Sequence, residues 1–324
     1  MKFPRPLIII LFSIVSFILG GLFLRTDTFL CRNKENYKYI NAELACSTKP
    51  IIKKHAYSEL KLKIEDYIES KKKENKISSV GIYFRDLKDG PTLGINEHEK
   101  FIPASLLKTP LLIAYLQIAG QDPKILKERL TYQAEDQHLQ DQVFIPEVTI
   151  DKNKSYTVEE LLHSMIVYSD NRSYYTLEKY LRQIFPDRSI FRETLNNLGI
   201  TTPRSNSDEI ITVKLYASIF IQLYNSTFLE EEEWSEKALA LLAEASFKPG
   251  IKSGIPNDVI VANKFGERTT SEGIHQLHDC GIVYYPQNPY LLCIMTRGQD
   301  FNNLSQVIGE VSKMFYEEIE DRRH

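Results

Sequence analysis

The chain has 324 residues, of which 43% are hydrophobic and 26% charged, and its formal net charge is −3. These values are typical of a globular protein that is long enough to bury a substantial core. The near-even charge balance lacks the excess of basic residues that is typical of nucleic-acid-binding proteins. We therefore expect no nucleic-acid partner.

The N-terminus predicts a membrane segment. Residues 7–24 carry no charge, and an apolar helix of this length can just cross a bilayer. No A-x-A-like cleavage site follows, which favours an uncleaved signal anchor at residues 1–24 over a secreted protein. Basic residues also lie just beyond the segment, so the positive-inside rule does not settle its orientation. We expect a single-pass membrane protein with a polar stalk at residues 25–56 and an extracytoplasmic domain, where the activity inferred below belongs.

Four cysteines are present, at positions 31, 46, 280 and 293, and none forms a C-x-x-C motif. The pattern is therefore neither that of a zinc site nor that of a thioredoxin-type redox pair. In an oxidising compartment we expect disulfides between Cys31 and Cys46 and between Cys280 and Cys293. For the second pair, two small buried side chains without a bond are an equally good interpretation.

The pattern from Ser58 onwards predicts a folded domain over residues 57–324. The N-terminal elements are a helix at 58–73 and strands at 78–87 and 93–95. The middle of the chain, about 105 to 247, is predicted to be helical, with a helical subdomain at about 120–225. Its N-cap and end signals are Thr157 with Glu160, Gly199 and Ser235. Strands follow at 258–267, 278–286 and 290–298, and the last helix is at 301–321.

This order of elements predicts an antiparallel five-stranded sheet whose strands come from both ends of the chain. The sheet would be flanked by helices and carry an all-helical insertion, which places the fold in the α+β part of the α/β class.

Ser105 and Lys108 form an S-x-x-K motif, which places a hydroxyl and an amine on one face of a helix. The positive end of the helix would stabilise an alkoxide, and burial would deprotonate the lysine. The same motif also occurs at Ser58 and Ser70, where it lies in a charged surface helix. Only Ser105 is followed by a long apolar run. Alone, the motif also fits a helix cap with an ordinary lysine.

Two further motifs carry polar groups. Ser169, Asp170 and Asn171 end an apolar helical stretch, where they could form a helix cap or supply a proton relay and a substrate-binding amide. Lys264 and Gly266 lie on a late predicted strand, where a lysine could hold an anionic substrate and a glycine would permit close approach of its backbone. Each motif alone is common.

Together, S-x-x-K opening a buried helix, S-D-N about sixty residues later and K-x-G on a late strand are typical of one superfamily. The chain resembles the serine β-lactamases and penicillin-binding proteins over about residues 58–324, and most closely the class A β-lactamases. Segments 81–112, 253–266 and 278–298 add to this resemblance.

The resemblance implies an acyl-enzyme mechanism in which Ser105 attacks the carbonyl of a β-lactam or a D-alanyl-D-alanine peptide and Lys108 activates it. The backbone N–H groups of Ser105 and Glu267 would form the oxyanion hole. The remaining implied roles are a proton relay by Ser169 and Lys264, and substrate binding by Asn171, Gly266 and Arg268. No metal or cofactor is implied, and we expect a monomer that acts on a small-molecule β-lactam or a cell-wall peptide.

Two features depart from the family pattern. Phe265 replaces the threonine or serine of K-T-G, so its hydroxyl is missing unless Arg268, Thr269 or Thr270 substitutes for it. The loop at 201–210 is too short for the class A omega loop and lacks its E-x-x-x-N motif.

Asp208 and Glu209 are the only acids in this short loop, so the sequence predicts slow deacylation. The alternatives are a D,D-peptidase or transpeptidase acting on peptidoglycan peptides, and a binding protein that retains the fold without activity. His275 and His278 are close in sequence, but we expect surface histidines rather than metal ligands.

Overall fold

The computed structural model of the chain describes residues 37–41, 57–88, 90–133, 142–202, 204–205 and 208–322. The predicted membrane segment and the Cys31–Cys46 pair lie outside the described residues. Within the described ranges, no helix is both long enough and apolar enough to cross a bilayer. Residues 37–41, which the prediction assigns to the stalk, pack against the domain: the Glu236 carboxylate accepts hydrogen bonds from the N–H groups of Lys38, Tyr39 and Ile40.

Five antiparallel strands form the central sheet, in the order β2-β1-β7-β6-β5. They are β1 (Ser79–Asp86), β2 (Thr92–Ile95), β5 (Val261–Thr269), β6 (His275–Val283) and β7 (Tyr290–Gly298). The first two strands and the last three thus meet in one sheet, which confirms the predicted assembly from both ends of the chain. A small ribbon of β3 (Arg129–Thr131) and β4 (Ser155–Thr157) lies apart from it and was not predicted.

Eight helices surround the sheet within the described part of the chain. They are α1 (Ser58–Lys73), α2 (Lys108–Gln121), α3 (Val158–Val167), α4 (Asn171–Ile184), α5 (Ile190–Asn197), α6 (Val213–Tyr224), α7 (Glu232–Ala243) and α8 (Phe301–Asp321). Helices α1 and α8 cover one face of the sheet, and the other six form the block on the opposite face.

Alternation along the strands divides the core into two layers. On β7, Leu292 and Ile294 join the core under α1 and α8, whereas Leu291, Cys293 and Met295 join the core of the helical block. Because helices cover both faces, β6 and β7 are buried almost continuously. Cys280 and Cys293 are directly opposite each other on β6 and β7, and a disulfide joins them.

Local signals fix several helix ends. Thr157 and Glu160 form the predicted capping box at the start of α3. Gly199 follows α5 with φ of 78°, a conformation that glycine adopts readily. The predicted start of α7 at Ser235 was wrong, because the helix begins three residues earlier. Acidic side chains in its first turn favour that start, and Ser235 is buried inside the helix, where its hydroxyl bonds that of Ser226.

Candidate active site

Ser105 lies in a single 3-10 turn, Ala104–Leu107, which leads directly into α2. The predicted helical start is therefore present, although the α-helix proper begins only at Lys108. Ala104, immediately before the serine, has φ of 48°, a left-handed conformation that is strained for a residue with a side chain. Ser105 is half-buried and lines an open cleft.

Gly266 on β5 allows the Ser105 turn to pack directly against the sheet. A Cβ atom at this position would lie 3.0 Å from Leu106 Cγ and 3.0 Å from the Pro103 carbonyl oxygen. Any side chain here would therefore push the turn away from the strand. The sequence predicts that this glycine lets the backbone of a substrate approach closely. In the structure, the backbone that approaches it is that of the Ser105 turn.

Two side chains of β6 hold the peptide that precedes the turn. Ile102 N–H donates to Gln276 Oε1 at 3.0 Å, and His278 Nε2 donates to the Ile102 carbonyl oxygen at 3.0 Å. Burial lowers the pKa of His278 to about 3, which keeps the ring neutral. The expectation of a surface histidine was wrong for His278, which is fully buried because helices cover both faces of its strand.

Lys108 is buried next to the S-D-N motif. Its Nζ donates to the Ser169 carbonyl oxygen at 2.5 Å, to Asn171 Oδ1 at 2.7 Å and to Ser169 Oγ at 3.1 Å. Burial lowers the pKa of Lys108 to about 7, although the carboxylates of Asp170 and Glu267 oppose this shift. A substantial fraction of this amine is therefore neutral at physiological pH and able to accept a proton.

The Ser169 hydroxyl lies between two lysine amines. Lys264 Nζ donates to Ser169 Oγ at 2.9 Å, and Lys108 contacts the same oxygen from the other side. Burial and the proximity of Lys108 lower the pKa of Lys264 well below its usual range. A hydroxyl in this position can accept a proton from one amine and pass its own to a third atom.

Asp170 organises this corner of the cleft. Its fully buried carboxylate accepts hydrogen bonds from Ser173 N–H at 2.8 Å, Ser173 Oγ at 2.6 Å and Thr149 Oγ1 at 2.5 Å. These bonds cap α4 and hold Ser169 at φ of 57°, a left-handed conformation. The carboxylate is thus a buried acceptor, and it forms the helix cap that is one of the two interpretations of the S-D-N motif.

Phe265 packs away from the cleft, in an aromatic cluster. Its ring stacks on Phe247 at 3.8 Å between centroids and meets Phe144 edge-on at 6.1 Å. Lys264 Nζ lies 4.3 Å from the centre of the Phe265 ring and donates to the Phe265 carbonyl oxygen at 2.9 Å. The position of Lys264 is therefore maintained without the hydroxyl that the family motif supplies.

Of the three predicted substitutes for that hydroxyl, only Arg268 lines the cleft. Thr269 Oγ1 contacts His275 Nδ1 at 3.0 Å near the end of its strand. Thr270 Oγ1 accepts the Ile274 N–H at 3.1 Å within the β5–β6 turn. The two threonines therefore stabilise the hairpin.

Both acids of the short 201–210 loop have other partners. Glu209 Oε1 accepts Arg297 Nη2 at 2.7 Å and Gln276 Nε2 at 3.1 Å. Asp208 caps its own turn, and the Ser205 hydroxyl and the Arg204 N–H lower the pKa of its carboxyl. The Glu209 carboxylate is thus engaged by side chains of β6 and β7, and the Asp208 carboxylate by its own loop.

The cleft brings together most of the predicted site residues. It is lined by Ile102, Pro103, Ala104, Ser105, Leu107, Lys108, Gln142, Asn171, Tyr174, Tyr175, Ser205, Glu267 and Arg268. Ser169 and Lys264 are only 1% exposed and lie just beneath the lining. A half-buried serine beside an amine–hydroxyl–amine chain, on a sheet packed against a helical block, defines the class of β-lactamase-like serine hydrolases.

Comparison with known families agrees with this class. The profile described as the Beta-lactamase enzyme family matches residues 59–319, and the chain belongs to this family. A β-lactamase of Streptomyces lavendulae is 24% identical over 235 residues, covering 68% of this chain and 74% of the relative.

Solved structures share the fold at low sequence identity. PBP-A has a TM-score of 0.67 at 19% identity, covering 85% of this chain and all of its own. The TLA-3 extended-spectrum β-lactamase has a TM-score of 0.65 at 17% identity, covering 82% and 99%. A class A β-lactamase of Mycobacterium abscessus has a TM-score of 0.64 at 19% identity, covering 78% and 98%.

Sequence reasoning missed three parts of the site: the Gln276–His278 pair, the Glu267 side chain and residues 142–149. Gln276 and His278 are two apart on a strand and so point to the same face. That spacing, on a strand face that continues with the apolar Cys280 and Ile282, is the signal that could have identified them. Residues 142–149 have no regular periodicity, and their position depends on contacts with distant residues.

Proposed function

We propose that this protein forms an acyl-enzyme on Ser105 with β-lactams or D-alanyl-D-alanine-like substrates. The observation that carries the proposal is the chain Lys108–Ser169–Lys264, in which one hydroxyl contacts two buried amines. Lys108 lines the same cleft as Ser105. Such an arrangement can move a proton from an attacking hydroxyl to a departing nitrogen through side chains alone.

In the first step, Ser105 Oγ attacks the substrate carbonyl carbon as its proton passes to neutral Lys108. A C–O bond forms, and the carbonyl oxygen becomes an oxyanion held by the backbone N–H groups of Ser105 and Glu267. One such donor typically lowers the barrier by about 3 kcal/mol.

In the second step, the tetrahedral intermediate collapses and the C–N bond breaks. Ser169 gives its hydroxyl proton to the leaving nitrogen and recovers one from the protonated Lys108, so the atoms and charges balance. Lys264 positions Ser169 through its 2.9 Å contact. Asn171 Oδ1 orients Lys108 at 2.7 Å, and the amide NH₂ of the same side chain would bind the acyl group.

Slow deacylation follows from the contacts of the acids. Asp208 and Glu209 are held in other interactions, so no carboxylate of that loop is placed to activate a water molecule. A point mutant of PBP-A with penicillin G, described as an acyl-enzyme complex, shares this fold at 20% identity with a TM-score of 0.64. We infer that the ester on Ser105 persists long enough to be detected.

A D,D-peptidase or transpeptidase that acts on peptidoglycan peptides is the second candidate. It is favoured by the same lack of a placed carboxylate in the 201–210 loop, because the D,D-peptidases that the chain resembles work without the omega-loop glutamate. An inactive binding protein is less well supported, since Ser105, Lys108, Ser169, Asn171 and Lys264 are all retained and the last four contact one another.

The cellular position is part of the proposal. We infer that residues 1–24 anchor a monomeric catalytic domain in the membrane. The domain would lie on the outer side, because β-lactams and cell-wall peptides are found there. The Cys280–Cys293 disulfide supports an oxidising compartment.

The test is intact-mass spectrometry of the full chain in detergent, incubated with penicillin G over time. A persistent adduct that Ser105→Ala abolishes is expected. Ser70→Ala is the matched control, since Ser70 has the same S-x-x-K spacing on α1 and should keep the adduct. Transient labelling with consumption of the antibiotic would identify an efficient β-lactamase. No adduct with penicillin G or with a D-alanyl-D-alanine thioester would contradict acylation by either substrate class.

A further inference from the structure

Residues 142–149 connect the two walls of the cleft. Gln142 Nε2 donates to the Ser169 carbonyl oxygen at 3.5 Å, and Thr149 Oγ1 donates to Asp170 Oδ1 at 2.5 Å. Both ends of this segment are therefore attached to the S-D-N corner of the helical block. We call residues 142–149 the strap.

The middle of the strap is attached to the opposite wall, on β5. Glu267 Oε1 accepts hydrogen bonds from Val143 N–H at 3.1 Å and from Phe144 N–H at 2.9 Å. Glu267 is 8% exposed, and its second oxygen, Oε2, is buried without a hydrogen-bond partner. Burial raises the pKa of Glu267, and the Phe144 and Val143 N–H groups oppose that shift by stabilising the ionised carboxylate. Hydrogen bonds to an ionised acceptor are among the stronger ones in proteins.

Aromatic packing adds a second attachment. The Phe144 ring meets Phe247 edge-on at 5.2 Å, Phe301 at 5.9 Å and Phe265 at 6.1 Å. Phe265 and Glu267 flank Gly266 on β5, so two neighbouring positions of one strand contact the same strap residue. This explains what Phe265 does in place of a hydroxyl.

The attached strap has a consequence for the cleft. Ser169 and Lys264 are 1% exposed, although the proposed second step requires Ser169 to reach the leaving nitrogen of a bound substrate. On its outer side the strap presents Val143, which is 52% exposed, and Ile145, which is 82% exposed. Apolar side chains directed at solvent gain nothing from this closed position, so polar and aromatic contacts on the inner side must hold it.

We propose that the strap is a gate over the cleft and that Glu267 is the positioning residue that latches it. Opening breaks the two hydrogen bonds to Glu267 Oε1 and admits the acyl donor to Ser169. Closure thereby favours small acyl donors over bulky ones, because a bulky group requires a wider opening. The effect on substrates rests on the proposed acylation of Ser105, whereas the latch itself does not.

The latch is tested first by hydrogen exchange on the full chain, followed by mass spectrometry. In Glu267→Ala, peptides containing Val143 and Phe144 should lose protection by about tenfold or more, while core peptides of β6 and β7 keep theirs. Glu267→Gln retains a carbonyl oxygen that can accept both N–H groups, and it should preserve most of the protection. Ile145→Ala is the matched control within the strap, because this exposed side chain takes no part in the latch.

The gate is tested by the acylation rates with penicillin G and with a penicillin that carries a bulky fluorophore. Glu267→Ala and Phe144→Ala should both accelerate labelling by the bulky probe, by about tenfold relative to penicillin G. A gain in rate separates a gate from general damage, which would slow both probes and lower the unfolding midpoint.

Each result is decisive for one part of the proposal. Unchanged exchange at Val143 and Phe144 in Glu267→Ala would contradict the latch. Loss of protection without a change in the ratio of the two rates would contradict the gate. If the unmodified protein is labelled by neither probe, the proposed acylation fails, and the exchange experiment still decides whether Glu267 holds the strap.

Discussion

The two walls of the cleft hold their functional groups by different means. On the helical wall, the Asp170 carboxylate accepts hydrogen bonds from Ser173 and Thr149 and so fixes the backbone of the S-D-N corner. On the strand wall, Lys264 Nζ lies 4.3 Å from the centre of the Phe265 ring, which stacks on Phe247. The S-D-N corner of the helical wall therefore depends on one buried carboxylate, whereas the part of the strand wall around Lys264 packs through aromatic rings.

This difference shows where the site tolerates change. The hydrogen-bonded corner tolerates few substitutions, because the loss of an acceptor leaves buried donors without partners. A wall that is held by packing requires mainly side chains of the right volume. It can therefore carry Phe265 in place of a residue with a hydroxyl, while the Phe265 carbonyl oxygen still bonds Lys264. The following variants compare the two walls, from the largest expected effect to the smallest.

Lys108 is the proposed base and contacts the S-D-N corner directly, so its loss should have the largest effect. Lys108→Ala removes the proposed base and should lower the acylation rate by about a thousandfold. The rate is measured by quenched-time mass spectrometry with penicillin G. Lys252→Ala is the control: burial also lowers the pKa of Lys252, but its amine contacts the Ala245 carbonyl oxygen, outside the cleft. Near-normal acylation by Lys108→Ala would refute its role as the base.

Asp170→Ala tests the helical wall. It leaves the buried N–H and hydroxyl of Ser173 without their acceptor, which should cost about 3 kcal/mol of unfolding free energy. Acylation should fall as well, because Ser169 and Asn171 lose their fixed backbone. Urea unfolding and adduct formation are measured together. As the control, Asp122→Ala removes an exposed N-cap of the 3-10 helix Pro123–Lys127. It should lower the unfolding free energy by about 1 kcal/mol or less and should leave acylation intact.

Phe265→Ala tests the strand wall. Truncation of this buried ring should also cost about 3 kcal/mol, because it leaves a cavity beside Phe247. At temperatures below the thermal unfolding midpoint of this variant, however, Ser105 should still be acylated, since no hydrogen-bonding side chain of the site has been removed. Complete loss of the adduct in a folded Phe265→Ala protein would contradict this difference, because the strand wall would then be as sensitive to substitution as the helical wall.

The pH dependence should report the protonation of Lys108. Its pKa of about 7 implies that the acylation rate rises about tenfold per pH unit below 7 and levels off above it. Between pH 7 and 10.5 the unfolded lysine binds a proton that the folded one does not, so its contribution makes stability rise with pH in that window. Stopped-flow acylation and urea unfolding measure the two effects.

Burial also raises the pKa of Asp279, to about 6, so that this carboxyl titrates in a neighbouring range. The inflection in rate should persist in Asp279→Asn. Its disappearance there would assign the profile to Asp279 instead of Lys108.

Much of this arrangement could be predicted from local sequence. The Thr157–Glu160 box starts α3 by bonds within one helical turn, and such short-range signals are readable in any context. The five strands and their antiparallel pairing followed from the order of the elements. The three motifs that meet in the cleft were identified by their order and spacing along the chain.

The parts that were not predicted depend on distant contacts. His278 lies on a strand that is buried on both faces, so alternation gives no contrast from which its burial could be inferred. The strap takes its position from Glu267, more than a hundred residues away in sequence. For α7, a serine typical of N-caps proved to be an interior residue, because the acidic residues before it extend the helix.

Ala104 and Ser169 both adopt left-handed backbone conformations, at φ of 48° and 57°. Asparagine tolerates this conformation better than alanine or serine, so substitution at either position would relieve strain. A screen for heat-resistant variants would therefore be expected to select changes next to the attacking oxygen and at the relay itself. At these two positions, thermal stability and catalytic activity would therefore be expected to change in opposite directions when the protein is engineered.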